Sequence, residues 1–345
     1  MPIETTFTDL SQSHTDDLGP AVTVATTARL HFGFLDPSGR TSCPFGSFGL
    51  SLDRPWTRLT LRHAREDAFS GPEAGRAARY LRAIAEVHGV DNAYWLDISE
   101  AIPSHAGLGS GTQLALAVGA AFAALEGLDL SPPDIAALLG RGARSGIGIA
   151  TFETGGAVLD SGPCDGALPQ LVARVPFPRS WRTLLIFDPE TKGLDGADEI
   201  AAFEASPAYS EDARAALEAR IVERALPALE TQDFGVFCEE VGYLQARMGD
   251  YFAPRQGGIF TSPRVGVVLE ALRAAGVTGL GQSSWGPTGF AFAESESDAT
   301  RLFEIASEAD TSAALQLVLA EGRNEGAEIT RLRGRDAKNL GSSGI

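Results

Sequence analysis

Residues 102–126, IPSHAGLGSGTQLALAVGAAFAALE, constrain the fold of this chain more than any other stretch of its sequence. The segment holds three closely spaced glycines and runs into alanine and leucine residues, which predict a helix ended by Gly127. Glycine permits tight turns that bring backbone N–H groups against an anion, and the helix adds the positive end of its dipole. The segment therefore predicts a phosphate-binding loop that opens a helix. The alternative is a turn that only allows the helix to pack closely.

The composition of this loop separates it from the common nucleotide-binding loops. No lysine follows the last glycine, as a Walker A loop requires, and the glycine spacing is not that of a dinucleotide-binding fingerprint. The hydroxyl groups of Ser110 and Thr112 suit phosphate oxygens or a metal-bound water. The candidate ligand contacts of the loop are Ser104, His105, Gly107, Leu108, Gly109, Ser110, Gly111, Thr112 and Gln113.

Strand and helix patterns interleave along the rest of the chain without the regular alternation of a doubly wound sheet, which predicts an α+β fold with two lobes. We expect a leader at 1–20, a first lobe at 21–190, a second lobe at 191–330 and a tail at 331–345. Strands are predicted at 21–28, 57–63, 154–162 and 182–188, helices at 71–89, 112–126, 211–248 and 296–308, and a strand–turn–strand unit at 279–295.

The charge balance limits the partners of the chain. Its formal net charge is −17, with no compensating block of lysine or arginine, which argues against binding nucleic acid or an anionic membrane surface. The longest apolar run, LALAVGAAFAAL, is far shorter than the roughly 20 residues that span a bilayer. Cys43, Cys164 and Cys238 show no metal-ligand spacing and are typical of a reducing compartment. We therefore expect a cytoplasmic protein that binds small molecules.

The loop also resembles a known superfamily. Pro103 followed by GLGS at 107–110 and an alanine-rich helix is similar to the second signature of the galacto-, homoserine, mevalonate and phosphomevalonate (GHMP) kinases. The resemblance covers roughly residues 21–325 and implies an N-terminal lobe like ribosomal protein S5 and a ferredoxin-like C-terminal lobe. Kinases of this type that use a catalytic aspartate place it upstream of a Gly-Gly pair. The matching stretch RSGIGIATFETGG, residues 144–156, has Glu153 as its only acid, which argues against kinase chemistry.

Five phrases narrow the resemblance to one branch: TARLHFGFLD, FGSFGLSLDRP, IPSHAGLGSGTQLAL, RSGIGIATFETGG and GQSSWGPTGFAF. They resemble the beta-ribofuranosylaminobenzene 5'-phosphate synthases of methanopterin biosynthesis. The resemblance implies a transferase that joins phosphoribosyl diphosphate to 4-aminobenzoate, releases CO₂ and diphosphate, uses Mg²⁺ and forms a homodimer. The sequence leaves open whether the acceptor is 4-aminobenzoate or 4-hydroxybenzoate. An ATP-dependent small-molecule kinase and a non-catalytic ligand-binding relative are the alternatives.

This reaction asks for little acid–base chemistry. The para-amino group pushes electron density to the ring carbon that bears the carboxylate, and loss of CO₂ restores aromaticity, so no ring proton has to be removed. The enzyme has to position two reactants and stabilise the departing diphosphate.

Candidate roles follow for residues inside and outside the loop. We expect Arg29, His31 and Glu153 to be catalytic; Arg29 and His31 would bind the 5'-phosphate or the benzoate carboxylate. Mg²⁺ would lie near Ser110, Thr112 and Glu153. Arg144, with the neighbouring Arg141 as an alternative, would bind phosphate. The turn Gln282, Ser283, Ser284 and Trp285 would face the site, with Trp285 stacking on the aminobenzoate ring. The alternatives are a structural histidine, a surface glutamate and a core tryptophan.

Overall fold

The computed structural model describes residues 19–41, 44–164, 166–193 and 201–333. The predicted leader, apart from its last two residues, and all but three residues of the predicted tail lie outside these ranges, as does Cys43. The described chain is a mixed α+β structure with two antiparallel-rich sheets, which confirms the predicted fold class. No helix within it is long and apolar enough to cross a membrane.

The first sheet is built around two long strands, β1 (Ala21–Asp36) and β2 (Phe45–Ala64). Its described strands run in the order β11-β1-β2-β4-β3, and a β5-β6 pair is attached to β2. The shorter strands are β3 (Ala68–Ser70), β4 (Ala93–Glu100), β5 (Ala157–Asp160), β6 (Leu171–Val175) and β11 (Glu328–Leu332). The helices of this lobe are α1 (Ala74–Val87), α2 (Ser110–Glu126), α3 (Pro132–Leu138) and α4 (Ile147–Thr154).

Helix α2 is the central helix of the first lobe. Eleven consecutive residues, from Gln113 to Ala123, are buried, because other elements cover the helix on all sides. Helix α3 begins as its sequence predicts: Ser131 and Asp134 form a reciprocal capping box, and Pro132 occupies the first turn. The glycine loop is therefore held by a helix whose own position is fixed by packing.

The second sheet has four described strands in the order β10-β7-β9-β8, all antiparallel. These strands are β7 (Arg182–Phe187), β8 (Leu280–Gln282), β9 (Gly289–Ala293) and β10 (Gln316–Glu321). Its helical segments are α5 (Glu211–Arg220), a π-helical turn (Ile221–Ala225), α6 (Leu226–Thr231), α7 (Phe234–Gln256), α8 (Pro263–Ala274) and α9 (Glu296–Ala309). Helices α8 and α9 share one apolar cluster with the sheet, and α7 belongs to another.

One hydrophobic core joins the two lobes. Phe32 of β1 lies 5.1 Å from Phe48 in its own sheet and 5.6 Å and 5.7 Å from Phe290 and Phe292 of the second sheet, measured between ring centroids. Phe237 of α7 closes the group at 6.4 Å from Phe32. The lobes are thus packed against each other across aromatic rings.

The lobe boundary differs from the predicted one at both ends of the chain. Residues 182–188 were expected to end the first lobe, but β7 pairs with β9 and β10 in the second sheet. Near the C-terminus, β11 returns to pair with β1 in the first sheet. Strand membership is set by pairing between segments that are distant in sequence, and the pattern of one segment does not show its partner.

Candidate active site

The glycine loop adopts the conformation that its glycines predict. Gly107 and Gly109 have φ values of 79° and 80°, and α2 starts directly after Gly109 with no side chain capping its first turn. Uncapped N–H groups at a helix start, together with the dipole, favour an anion. A Cβ built on Gly111 would lie 3.6 Å and 3.8 Å from guanidinium nitrogens of Arg141 and Arg76. The start of α2 therefore carries two arginines in addition to its backbone donors.

Arg29 ties strand β1 to this loop. Its backbone N–H donates to the carbonyl of Leu108 at 3.1 Å, and its Nη1 donates to the carbonyl of Gly107 at 2.5 Å. A Cβ on Gly109 would lie 3.2 Å from the Arg29 side chain, so glycine is needed here for space as well as for φ. The structure thus brings Arg29 to the loop, as the sequence predicts.

The turn between β8 and β9 meets the loop from the second lobe. Ser283 is fully buried; its Oγ donates to the carbonyl of Gly107 at 2.8 Å and accepts from the backbone N–H of His31 at 3.0 Å. A Cβ on Gly286 would lie 2.3 Å from the carbonyl of Ala106, so the two loops are in direct backbone contact. Three segments that the sequence singled out separately therefore converge where the lobes meet.

A small cavity lies beside this junction, and its described lining has no acidic or basic side chain apart from His31. Phe252, Phe260 and Met248 contribute apolar wall, with Trp285 whose ring centroid is 4.2 Å from that of Phe252. Gln282 also lines the cavity; its amide donates to the carbonyl of Ser284 at 2.9 Å and accepts from the N–H of Thr261 at 2.6 Å. The remaining lining residues are Phe32, Gly33, Phe34, Gln245, Gly249, Gln256 and Ile259.

His31 and Trp285 are buried in this wall at 2 % and 3 % exposure. Neither ring nitrogen of His31, nor Nε1 of Trp285, has a hydrogen-bond partner. Burial, with a smaller effect from the charge of Arg29, holds the pKa of His31 well below its ordinary value, so the imidazole is neutral at pH 7. Trp285 packs against Phe203 and Phe252 in the aromatic core and also faces the cavity, so both expectations for it describe its position.

Other predicted residues lie elsewhere or have structural contacts. Gln113 is buried, accepts from Thr26 Oγ1 at 2.5 Å and donates to the carbonyl of Gly148 at 2.8 Å, so its amide ties α2 to β1 and α4. Leu108 is part of the core. Arg144 lies over the ring of Phe203 at 4.8 Å. These three side chains support the loop from behind or beside it.

Glu153 is exposed on the last turn of α4, where its carbonyl oxygen would lie 2.3 Å from a Cβ on Gly326. Thr112 instead contacts the first turn of that helix, 2.9 Å from a Cβ built on Gly148. Within the described ranges, Glu153 has no hydrogen bond or ion pair, and no group of three or more His, Cys, Asp or Glu is arranged to hold a metal. The fold therefore does not gather the predicted magnesium ligands into a carboxylate site.

The sequence did not single out Arg76 or Asp160. Arg76 comes from α1, and only the three-dimensional packing brings it to the start of α2. Asp160 is 1 % exposed at the end of β5 and accepts from the N–H groups of Gly146 and Gly162 at 2.8 Å and 2.7 Å. Burial raises the pKa of Asp160 to about 6. No sequence signal distinguishes this aspartate from an ordinary turn residue.

Comparison with known proteins agrees with this arrangement. The model of the GHMP kinases N terminal domain matches residues 74–156, and that of the GHMP kinases C terminal domain matches 225–310. Homoserine kinase from Cytophaga hutchinsonii superposes with a TM-score of 0.65 at 16% identity, covering 92% of this chain and all of that one. Mevalonate diphosphate decarboxylase from Enterococcus faecalis gives 0.62 at 19% identity, covering 91% and 99%. The chain belongs to the GHMP kinase superfamily, as its sequence predicts.

Within that superfamily, its curated relatives are synthases. The chain is 28% identical over 324 residues to beta-ribofuranosylphenol 5'-phosphate synthase of Archaeoglobus fulgidus, covering 88% of this chain and 98% of the relative. It is 26% identical over 328 residues to the protein of the same name from Methanothermobacter thermautotrophicus, covering 88% and 97%. The predicted branch is therefore confirmed at the level of the family.

Proposed function

We propose that this chain is a decarboxylating phosphoribosyl-type transferase that joins phosphoribosyl diphosphate to a 4-substituted benzoate, 4-aminobenzoate or 4-hydroxybenzoate. The observation that carries the proposal is the junction at Ser283, where a cationic glycine loop and an uncharged, aromatic-walled cavity meet. The printed name of the relatives, a ribofuranosylphenol phosphate synthase, supports the same class of product. The expected place of such a reaction is methanopterin biosynthesis in the cytoplasm, and the expected assembly is a homodimer.

The loop side suits the diphosphate. Uncapped N–H groups at the start of α2 and the guanidinium groups of Arg76 and Arg141 supply fixed positive charge. Negative charge grows on the diphosphate as the bond between its oxygen and the anomeric carbon breaks. Donors that are already in place stabilise that charge without reorganisation, which is the largest common source of catalysis.

The cavity side suits a flat aromatic acceptor. Phe252, Phe260 and Trp285 provide ring faces and edges for stacking, and amide groups provide a few polar contacts. In the reaction, the ring carbon that bears the carboxylate attacks the anomeric carbon, and the carbon–oxygen bond to diphosphate breaks. The bond to the carboxylate then breaks, its electron pair restores the aromatic ring, and CO₂ leaves. No ring proton is removed in either step.

Magnesium would reach this site mainly through the substrate. The chain offers the hydroxyl groups of Ser110 and Thr112 at the loop, while Glu153 lies at the far end of α4, so the described residues do not form a carboxylate cage. Mg²⁺ commonly keeps several waters and binds substrate phosphates with few protein ligands. When bound, it would neutralise charge on the diphosphate.

A kinase is the second candidate, favoured by the loop and the superfamily fold. The stretch before Gly155 and Gly156 contains no aspartate, and Gly148 within it packs against Thr112. One assay separates the candidates: the protein with Mg²⁺, phosphoribosyl diphosphate and carboxyl-labelled 4-aminobenzoate or 4-hydroxybenzoate. We expect labelled CO₂ and diphosphate in equal amounts. Consumption of ATP with a small alcohol, and no labelled CO₂, would establish the kinase; binding without turnover would establish a ligand-binding protein.

A further inference from the structure

The imidazole of His31 is the polar group of the cavity that the fold itself does not use. Its backbone is bonded on both sides, donating to Ser283 Oγ at 3.0 Å and accepting from the N–H of Ser284 at 3.1 Å. Its ring is buried, and neither Nδ1 nor Nε2 has a partner. Leaving buried polar groups unsatisfied costs about 1–3 kcal/mol each, so such groups are rare outside functional sites. The ring is thus available to a bound molecule.

The local backbone aims this ring into the cavity. Strand β1 pairs with β2 through His31 opposite Gly49, and then the register shifts before Gly33 opposite Phe48. A bulge of this kind redirects side chains and is common next to active sites. The ring of Phe34 packs against the imidazole at 4.5 Å between centroids and fixes its position. The orientation is therefore built into the strand.

The character of the cavity decides which end of a benzoate faces His31. The described lining has no acidic or basic side chain besides the neutral imidazole, and a carboxylate buried there would have no countercharge. The ring carbon that bears the carboxylate must also face the sugar at the glycine loop. The carboxylate end thus faces the loop, and the uncharged 4-substituent enters the cavity.

We propose that His31 hydrogen-bonds the 4-substituent of the acceptor and, where that substituent is a hydroxyl group, accepts its proton as the ring carbon attacks. This inference rests on the proposed function. The O–H bond breaks as the carbon–carbon bond to the sugar forms and the diphosphate leaves, giving a dienone and a protonated imidazole. Loss of CO₂ returns the electron pair to the ring, and the resulting phenolate takes the proton back. His31 is regenerated, and no oxidant or other reactant is needed.

The two acceptors make different demands on this residue. A phenol pushes electrons much better when its proton is transferred, whereas an aniline nitrogen already carries the lone pair that it donates. General-base catalysis contributes about 10²–10⁴-fold. Loss of the imidazole should therefore slow the hydroxyl acceptor far more than the amine. His31 is in this sense the residue that makes 4-hydroxybenzoate a usable substrate.

The test compares His31→Phe and His31→Gln with the unaltered chain, using 4-hydroxybenzoate and 4-aminobenzoate as acceptors. We expect His31→Phe to lower kcat/KM for 4-hydroxybenzoate by about 100-fold and for 4-aminobenzoate by less than about 10-fold. His31→Gln retains a hydrogen-bond acceptor and should restore much of the acceptor affinity but not the rate. His63→Gln is the control, because His63 is half-exposed and bonded to Glu126 away from the cavity. Equal losses for both acceptors, or no loss, would overturn the proposal.

Equilibrium binding separates this inference from the proposed function. Titration calorimetry with 4-hydroxybenzoate and with benzoate needs no turnover. The unaltered chain should bind 4-hydroxybenzoate about tenfold more tightly, a difference of about 1.4 kcal/mol, and His31→Phe should lose the preference. A chain that shows the preference but forms no product contradicts the proposed transferase and keeps His31 as the contact. A preference that survives in both variants removes His31 from the site.

Discussion

Asp160 shows at the scale of one residue how burial sets chemistry. Its carboxyl group accepts two backbone N–H groups, which favour the charged form, yet burial outweighs them and raises its pKa from 3.8 to about 6. Those N–H groups lie at Gly146, before α4, and at Gly162, after β5, so the carboxyl group fastens the two elements together. No sequence pattern predicts this role, because it depends on what surrounds the side chain.

The raised pKa makes stability depend on pH in a definite direction. The folded state binds the Asp160 proton more tightly than the unfolded state, so this contribution is present at low pH and is lost as pH rises through about 6. We expect the unfolding free energy of the unaltered chain, relative to Asp160→Asn, to fall by about 1 kcal/mol between pH 5 and pH 7. Urea unfolding at both values measures it. A difference that stays constant would show that Asp160 titrates as an exposed acid.

Helix α2 shows what the sequence predicts well at the scale of an element. The glycine turn, the helix and the closing Gly127 were all expected from local chemistry, and the structure has them at Gly109, Ser110–Glu126 and Gly127. The partners of the loop were harder to foresee. Arg29 and Ser283 were named from their motifs, but Arg76 was not, because α1 carries no sign of which surface it covers.

The two ends of α2 offer a matched pair of substitutions. Gly109→Ala and Gly127→Ala both place alanine at positive φ, 80° and 72° respectively, and so carry similar backbone strain of about 1 kcal/mol. A Cβ at 109 also meets Arg29 at 3.2 Å, whereas one at 127 has nothing within 4 Å. We expect Gly109→Ala to raise the KM for phosphoribosyl diphosphate at least tenfold and Gly127→Ala to leave it unchanged. Equal effects on KM would mean that strain alone, rather than loop geometry, is responsible.

At the scale of the whole molecule, the two lobes share an aromatic core while their sheets exchange strands of the chain. The predicted boundary at 190 placed β7 in the first lobe, and the predicted second lobe included β11, because each strand was assigned from its neighbours in sequence. Non-local pairing decides both cases. The two-lobed α+β class itself was predictable, since it depends only on how strands and helices interleave.

The shared core predicts that the lobes unfold together. Phe32 contacts rings from both sheets, so Phe32→Ala should lower the unfolding free energy by about 3–5 kcal/mol. Near-ultraviolet and far-ultraviolet circular dichroism should report one coincident urea transition before and after this change. Two separated transitions in the unaltered chain would show that the lobes are independent units.

The central claim is a division of labour: the cationic loop holds the diphosphate, and the cavity holds the acceptor ring. The measurement that tests it most directly is the equilibrium affinity of Arg141→Gln for each substrate separately, with Tyr80→Phe as the control that removes only the hydroxyl group Arg141 contacts. The account predicts at least tenfold weaker binding of phosphoribosyl diphosphate, unchanged binding of 4-hydroxybenzoate, and little effect of Tyr80→Phe. Weakened binding of the benzoate with unchanged binding of phosphoribosyl diphosphate would contradict it.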